Sequence, residues 1–201
     1  MVNTRTAAPT SRTDVASKTA RRVADAAVSV VAREGFDLLS VRSVAREAGV
    51  SGGAVQHHFA TRADLLLAAF AQTVESISAR LAATELDGKV HEVLHRLCEQ
   101  ALPLDEERRR EAIVWVTLSA AAASHPDLAA AHRRGLVAFT DLVADIIDSS
   151  HRGGEVPESV DPRAAAAVLV AVVDGLTLQG IVEESTDLDA VLRAALTAVL
   201  R

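Results

Sequence analysis

The sequence contains no tyrosine, a single cysteine (Cys98) and few aromatic residues, which make up 2% of the chain. One cysteine excludes a disulfide framework and suits a reducing compartment. Alanine, valine and leucine supply most of a hydrophobic fraction of 49%, which is ample for a core. These apolar residues recur every three or four positions rather than alternating, so the pattern predicts an all-α protein.

Long hydrophobic runs are also missing. The N-terminal segment lacks the apolar core of a signal peptide. The longest apolar run, Ala164 to Val173, is too short to cross a bilayer and is followed by Asp174. We therefore expect a soluble, cytoplasmic protein with no membrane partner.

The net charge of −6 is unevenly distributed along the chain. Residues 1–64 carry nine lysines and arginines against six acids, an excess of +3, which leaves −9 for residues 65–201. A basic end on an acidic body can hold phosphate at one end of the molecule while the rest repels it. An excess of this size is also ordinary, so charge alone does not identify a nucleic-acid-binding protein.

The periodicity predicts about nine helices in two domains that follow a flexible basic arm, residues 1–16. Residues 17–63 are expected to form a three-helix head, and residues 64–201 a helical body. The fourth helix, Arg62 to about Ala83, spans roughly 33 Å, long enough to act as a lever between them. Further helices are predicted at about 89–102, 105–124, 126–150, 162–184 and 188–200.

Residues 41–59, VRSVAREAGVSGGAVQHHF, carry the strongest motif. Two short helices are joined by a turn at Gly49; Ala45 and Ala48 permit close approach, and Phe59 helps to set the angle of the second helix. In a helix-turn-helix, the outward residues of that second helix lie in the DNA major groove. A purely structural helical hairpin needs the same inner face, so the pattern by itself leaves both interpretations open.

Short segments in a fixed order and spacing extend this motif over residues 20–70. They are Val23-Ala24, Ala26-Ala27, Gly35-Phe36, Ser40-Val41, Val44-Ala45, Ala48-Gly49-Val50-Ser51, His58-Phe59, Thr61-Arg62 and Leu65-Leu66. Together they resemble the DNA-binding domain of the TetR (tetracycline-repressor) family, and Asp174-Gly175-Leu176 resembles a family motif in the body. The resemblance implies a helix-turn-helix domain, a ligand-binding and dimerisation domain, and a transcriptional regulator rather than an enzyme, with no cofactor.

The resemblance also implies which residues contact DNA. Arg42 and Ser43 are expected to reach phosphate or a base edge, and Gln56 and His57 to read bases, since glutamine can pair bidentately with adenine. His58 and Arg62 are expected to hold backbone phosphate. The full expected set is Arg42, Ser43, Ser51, Gly52, Gly53, Ala54, Gln56, His57, His58, Thr61 and Arg62. The family usually has an aromatic residue where Gln56 stands, and often lysine or arginine where Gly52 stands.

The body is expected to form a homodimer and to bind a small apolar effector. Ala164 to Val173 is apolar all round, so a second copy is expected to cover its outer side, through residues 161–184 and 187–200. Two recognition helices would then reach the half-sites of a palindromic operator. The expected effector site, between the lever and helices five to eight, consists of Phe70, Leu97, Trp115, Ser119, Phe139, Thr140, Leu176 and Gln179. Each of these residues could equally belong to the plain core.

The segment His91-Glu92-Val93-Leu94-His95 matches the H-E-x-x-H motif of zinc proteases, which leaves a metal-binding hydrolase as the alternative function. Helical geometry places both histidines on the flank of the apolar stripe rather than in a cleft. Glu111, a candidate third ligand, belongs to a charge run that is expected to be solvated. We therefore expect a histidine pair at the surface or at a cavity rim, with no metal and no catalysis.

Overall fold

The computed structural model describes residues 12–183 and 185–201. Within these residues the chain forms nine α-helices and one 3-10 helix without any strand, which confirms the predicted all-α class. The helices are α1 (Arg12–Glu34), α2 (Val41–Ala48), α3 (Gly52–His58), α4 (Arg62–Ala83), α5 (Val90–Glu99), α6 (Glu106–Ala122), α7 (Pro126–Arg152), α8 (Pro162–Val182) and α9 (Leu188–Val199). The 3-10 helix, Phe36–Leu38, joins α1 to α2 and was not predicted.

Several helix ends differ from the predicted ones. Helix α1 begins at Arg12 rather than near residue 17, so residues 12–16 of the predicted arm are helical, whereas residues 1–11 lie outside the described part. Helix α5 ends at Glu99 rather than near residue 102. There the amide of Gln100 donates to the carbonyl of Leu97, a tighter i to i−3 bond that closes the helix.

The head is built around the predicted stripe of α1. Val23, Ala27, Val30 and Val31 are fully buried where α1 packs against α2 and α4. The same apolar cluster continues into Val114 and Leu118 of α6 and Leu128 of α7. The head and the body therefore share one continuous core in this structure, and α1 lies against α6 as well as α4.

A second core fills the body around α8. Helix α8 packs against α6, α7 and α9, and it buries Leu169, Val173 and Leu176. By length and composition alone α4 and α8 are apolar enough to cross a membrane. In this structure α4 packs in both the head and the body, and α8 buries one face against its neighbours while Val168, Leu178 and Val182 stay exposed.

The outer side of α8 and α9 differs in part from the predicted dimer seam. Leu188, Leu192 and Leu196 of α9 are buried in the molecule's own core rather than presented to a second copy. Val191 points outwards and is 44% exposed. The reason is that α9 packs against α5 and α8, and these contacts bury the apolar side of α9 that was expected to face a second copy.

Candidate DNA-binding surface and internal cavity

The start of α2 is held by reciprocal capping between two serines. The side chain of Ser40 accepts a hydrogen bond from the amide of Ser43 (3.1 Å), and that of Ser43 accepts one from the amide of Ser40 (2.9 Å). The Ser43 hydroxyl also donates to the carbonyl of Leu38 (2.8 Å), and the residue is buried. In this structure Ser43 therefore secures the N-terminus of α2, whereas the neighbouring Arg42 is exposed.

The turn between α2 and α3 depends on Gly49. Its φ of 63° is in the left-handed region, and its amide donates to the carbonyls of Ala45 and Arg46. The Arg22 guanidinium of α1 donates to the carbonyl of Ala48 (2.7 Å), which ties the turn to the first helix. Helix α3 thus leaves α2 at an angle fixed by backbone and side-chain hydrogen bonds.

Helix α3 presents a polar face to solvent. Ser51 caps it by accepting a hydrogen bond from the amide of Ala54 (3.2 Å), and Val55 is the side chain that enters the core. The predicted base readers Gln56 and His57 are exposed, as is His58. Ser51, Gly52 and Gly53 are exposed as well, and Ala54 is half-buried. The structure therefore brings the predicted contact residues of α3 onto one end of the molecule.

Thr61 and Arg62 join α4 to the rest of the head. Thr61 caps α4 and forms a reciprocal pair with Asp64, whose pKa the hydrogen bonds from Thr61 lower. The Arg62 guanidinium donates to the carbonyl of Phe36 from Nε (3.0 Å) and Nη2 (2.6 Å), and it lies 4.1 Å from the centre of the Phe36 ring. Arg62 thus anchors the 3-10 helix, and its predicted phosphate contact stays a prediction.

Ion pairs neutralise much of the positive charge of the head. Arg33 pairs with Glu47 (2.8 Å) and Glu34 (3.0 Å), and Arg46 also reaches Glu34 (3.4 Å). None of the ion pairs found among the described residues involves Arg42. Arg42 is therefore an exposed arginine of the helix-turn-helix whose charge no acid among the described residues neutralises, and its expected phosphate contact stays a prediction.

The body contains a partly open cavity of about 440 Å³ between α4, α5, α6, α7 and α8. Of the predicted effector-site residues, Leu97, Trp115 and Phe139 line it. Phe70 lies behind Trp115, with ring centres 5.4 Å apart, while Leu176 is buried in the core and Gln179 is exposed.

Two predicted polar contacts are used within their own helices. The Ser119 hydroxyl donates to the carbonyl of Trp115 (2.8 Å), and the Thr140 hydroxyl donates to that of Leu136 (2.8 Å). Neither residue lines the cavity. Hydroxyls in mid-helix commonly bond the carbonyl four residues earlier, which removes them as ligand donors.

The prediction missed the lever side of the cavity and its charged groups. Val74, Ile77 and Leu81 line it from α4, and their spacing as one apolar stripe was the available signal. Asp174 and Glu111 also line it, and helix periodicity does not reveal them because carboxylates usually mark solvent faces.

Glu111 is buried, contrary to the expectation of a solvated residue. It forms a two-pronged ion pair with Arg80 of α4, in which Nη1 donates to Oε1 (3.1 Å) and Nη2 to Oε2. The hydrogen bond to Glu111 raises the pKa of Arg80. Because α4 crosses α6 here, the carboxylate is covered by the lever and joins the two helices at the cavity wall.

Asp174 of α8 and Trp115 of α6 meet at the cavity wall. The Trp115 indole N–H donates to Asp174 Oδ1 (3.0 Å), and the Trp115 ring lies between Phe70 and His132, whose ring centre is 5.0 Å away. Burial raises the pKa of Asp174, and this outweighs the opposing effects of Trp115 and His132. Gly135 permits this packing, since a Cβ there would lie 3.3 Å from the Trp115 ring.

The two histidines of the H-E-x-x-H segment do not form a surface pair. His91 is exposed, but His95 is buried because α9 covers that side of α5. His95 Nε2 lies 2.8 Å from Asp189 Oδ1 and Nδ1 lies 3.4 Å from Glu99 Oε2. The Nε2 contact is close without being an aligned hydrogen bond.

His95, Glu99 and Asp189 bring potential metal-ligand atoms within 4.8 Å of one another, whereas His91 is not part of this group. Arg193 holds the other oxygen of Asp189 at 2.8 Å and lowers the pKa of that carboxyl. The cluster therefore already contains a cationic partner for its acids.

Cys98 is fully buried on α5 and belongs to the apolar core of the body. Burial, with a smaller effect of Glu99, raises the pKa of the thiol to about 12. The thiol is therefore un-ionised at neutral pH.

Comparisons with known proteins agree with this architecture. Residues 23–69 match the description "Bacterial regulatory proteins, tetR family", and residues 90–201 match "BetI-type transcriptional repressor, C-terminal". The chain is 31% identical over 169 residues to the HTH-type transcriptional regulator PksA of Bacillus subtilis (strain 168), covering 83% of this chain and 80% of PksA.

Two solved structures are similar over most of the chain. A transcriptional regulator from Rhodococcus sp. Rha1 is 34% identical, with a TM-score of 0.82 over 90% of this chain and 95% of that one. The multidrug binding protein EbrR, complexed with imidazole, is 28% identical, with a TM-score of 0.69 over 90% of this chain and 94% of EbrR. The exposed helix α3 lies in the part of the chain that matches the first of these descriptions. The cavity lies mainly in the part that matches the second. This chain belongs to the TetR family and is a DNA-binding, ligand-responsive transcriptional repressor.

Proposed function

We propose that the protein is a homodimer that binds a palindromic operator and is released from it by a small molecule held in the cavity. The observation that carries the proposal is the polar, exposed face of α3, Gln56, His57 and His58, set on a frame that hydrogen bonds and buried contacts hold in place. Such a face can enter a major groove without rearrangement of the head.

Within the head, residues 17–63 supply the DNA contacts. Gln56 and His57 read base edges, while Arg42 and His58 lie beside them for phosphate. Gly52 is an exposed position where a Cβ would meet only Val41 Cγ1, at 3.9 Å. The interior of the head would therefore accommodate a side chain at this position, and the glycine instead allows DNA to approach the start of α3 closely.

A second copy covers the outer faces of α8 and α9. Val168, Ala171, Gly175, Leu178 and Val182 follow one another at helical spacing along the solvent side of α8. Val168, Leu178 and Val182 are 49%, 48% and 76% exposed, which is unusual for large apolar residues in a row. Val191 of α9 extends this stripe. A two-fold contact through it pairs identical surfaces and places two heads on one duplex.

The cavity communicates with the head through α4 and α6. Val74, Ile77 and Leu81 of α4 line the cavity, while Leu65, Leu66 and Ala69 of the same helix lie in the head core. Helix α6 likewise presents Trp115 to the cavity and Val114 to the shared core. A ligand that displaces either helix changes the support of α1 and thereby the spacing of the two heads.

Release from DNA requires a ligand that binds the DNA-free conformation more tightly than the DNA-bound one. The ligand then weakens DNA binding by some factor, and DNA weakens ligand binding by the same factor. The similarity to EbrR, complexed with imidazole, supports a small molecule in a body of this type. The operator and the repressor meet in the cytoplasm, where we place the protein.

Selection of binding sites from a random DNA pool tests the DNA part of this proposal. We expect a two-fold symmetric site, and we expect Gln56→Ala to relax specificity at one base position in each half-site, at a cost of about 1–3 kcal/mol. Gln72→Ala on α4 is the matched control and should retain the selected sequence. Failure to enrich any sequence, or equal specificity of the two variants, would contradict the proposal.

A further inference from the structure

Three ionisable side chains line the cavity, and two of them have charged partners. Arg108 donates to Asp105 Oδ2 (2.7 Å), and Glu111 is paired with Arg80. The third, Asp174, receives the Trp115 N–H but takes part in no ion pair among the described residues. The cavity therefore contains one carboxylate whose charge is not matched by a lysine or arginine.

The surroundings of Asp174 make the charged form of this carboxyl group unfavourable. The carboxyl group is half-buried on α8, beside the apolar walls formed by Val170, Val173 and Phe139. His132 is the ionisable neighbour that acts on it, but the effect of burial on the pKa of Asp174 is the larger one. The neutral indole N–H supplies a hydrogen bond without a charge, so no lysine or arginine among the described residues compensates the carboxylate.

The charge of a ligand decides how it interacts with this wall. A neutral ligand covers Asp174 and deepens its burial, and an anionic ligand adds repulsion, whereas a cationic group compensates the loss of water. Most of the remaining lining residues are aliphatic or aromatic, among them Ile77, Leu81 and Leu142, and the uncharged polar ones are Ser78, Thr84, Gln100 and Thr177. Such walls suit a hydrocarbon chain.

We propose that the cavity takes a cationic amphiphile, with its ammonium head against Asp174 and Trp115 and its apolar tail along α4. This inference rests on the proposed ligand-release function and specifies the chemistry of the ligand. The tail contacts the lever helix, while the head group sets the orientation of the ligand in the cavity.

Three probes of equal chain length separate the alternatives: octyltrimethylammonium, octanol and octanoate. Trp115 is the sole tryptophan of the chain, so its fluorescence reports occupancy of the cavity, and isothermal titration calorimetry gives a second measurement. We expect the cation to bind at least about tenfold more tightly than octanol, a difference of about 1.4 kcal/mol, and octanoate to bind most weakly.

Asp174→Asn retains an acceptor for the Trp115 N–H and removes the charge. We expect it to lose about tenfold in affinity for the cation, about 1.4 kcal/mol, and to bind octanol at least as tightly as the wild type, because the neutral amide costs less to cover than the carboxylate. Asp145→Asn, an exposed carboxylate of α7, is the matched control and should change neither affinity.

The inference is overturned if octanol or octanoate binds the wild-type protein best, if no probe binds, or if Asp174→Asn leaves the order of the probes unchanged. The wild-type comparison holds whether or not the variant folds. Operator binding measured on the same preparation separates this failure from failure of the regulator function, because DNA binding without probe binding overturns only the ligand class.

Discussion

Buried polar side chains determine much of the chemistry of this protein at the residue scale. Ser43, His95 and Glu111 look like surface residues in the sequence, but all three are buried. Ser43 and Glu111 are hydrogen-bonded to another element, and His95 lies 2.8 Å from Asp189 of α9. A buried polar group is stable only when it is paired, and each of these side chains therefore links two segments of the chain. Asp174 differs from Glu111, because the hydrogen-bond partner of this carboxylate is the uncharged indole of Trp115 rather than an arginine.

The Cys98 thiol should be inert in the folded protein. Its pKa of about 12 leaves almost no thiolate at pH 8, and the side chain is fully buried. We expect Ellman's reagent to react at least about a hundredfold more slowly with the native protein than with the protein unfolded in guanidinium chloride. Cys98 is the only cysteine, so no other thiol contributes to the signal. Equal rates in the two states would contradict the burial of this side chain.

Asp174→Asn should stabilise the ligand-free protein at neutral pH. The pKa of Asp174 is raised in the folded state, so the folded protein is penalised for the charged carboxylate above that pKa. The penalty vanishes below the unfolded pKa of about 3.9, where both states are protonated. We expect the variant to melt at a higher temperature than the wild type at pH 7, with a difference that shrinks as the pH falls towards 4.

The exposed Asp145→Asn is the control for this measurement and should show no such pH-dependent difference. A lower melting temperature of Asp174→Asn at pH 7 would mean that the carboxylate has a cationic partner. Such a result would also argue against a cationic ligand.

At the scale of elements, the two short helices of the head have different tasks. Helix α2 is anchored by the serine pair and by Arg22, and it carries Arg42 on its exposed side. Helix α3 is anchored mainly by Val55, while Gly52, Gly53 and the residues 56–58 are exposed to solvent. Of these two adjacent residues, Ser43 contributes to the stability of the head, and we expect the exposed Arg42 to contribute to DNA binding.

Ser43→Ala and Arg42→Ala should therefore impair different properties of the protein. Ser43→Ala loses the bond from the Ser40 amide and the bond to the Leu38 carbonyl but keeps the cap from the Ser40 side chain, and we expect it to reduce the free energy of unfolding by about 1 kcal/mol. Arg42→Ala should leave stability unchanged, weaken binding to all DNA sequences and make the salt slope shallower by about one unit. Urea unfolding and DNA titration at several salt concentrations measure the two effects, and a loss of stability in Arg42→Ala would contradict this assignment.

Coupling between the cavity and the head is also a property of elements. Helices α4 and α6 each run from the cavity wall to the shared core, and the Arg80–Glu111 pair joins them. Because well-packed helices shift as units rather than deform, a ligand at one end can move the other.

At the scale of the whole molecule, the proposed homodimer is formed through the outward stripe of α8. Leu178→Asp places a charge at the centre of this apolar surface, where a second copy would have to bury it. We expect this variant to sediment as a monomer at micromolar concentration, to remain folded because the residue is 48% exposed in the single chain, and to bind the operator at least about tenfold more weakly.

Val137→Asp is the matched control, since Val137 is a similarly exposed apolar residue on α7. It should sediment as a dimer. A monomeric wild-type protein, or a dimeric Leu178→Asp variant, would place the interface elsewhere. Leu196 is unsuitable for this test because it lies in the molecule's own core.

The sequence by itself determined the elements and the DNA-binding motif. Apolar periodicity places α1 and α4, and the caps at Ser40, Ser51 and Thr61 mark three helix starts. These signals are local, since a helix turn and its cap involve residues within four positions. For the same reason the helix-turn-helix was recognisable before any tertiary contact was known.

Only the tertiary structure decided which faces of those helices are covered and by what. Periodicity shows that α5 and α9 have apolar stripes, but not that α9 covers His95 or that α4 buries Glu111. Likewise it could not tell the cavity wall from plain core, which is why Leu176 and Phe70 were assigned to the effector site and Asp174 was not. Burial depends on the contacts between distant segments, and a carboxylate has the same local signature whether water or another helix covers it.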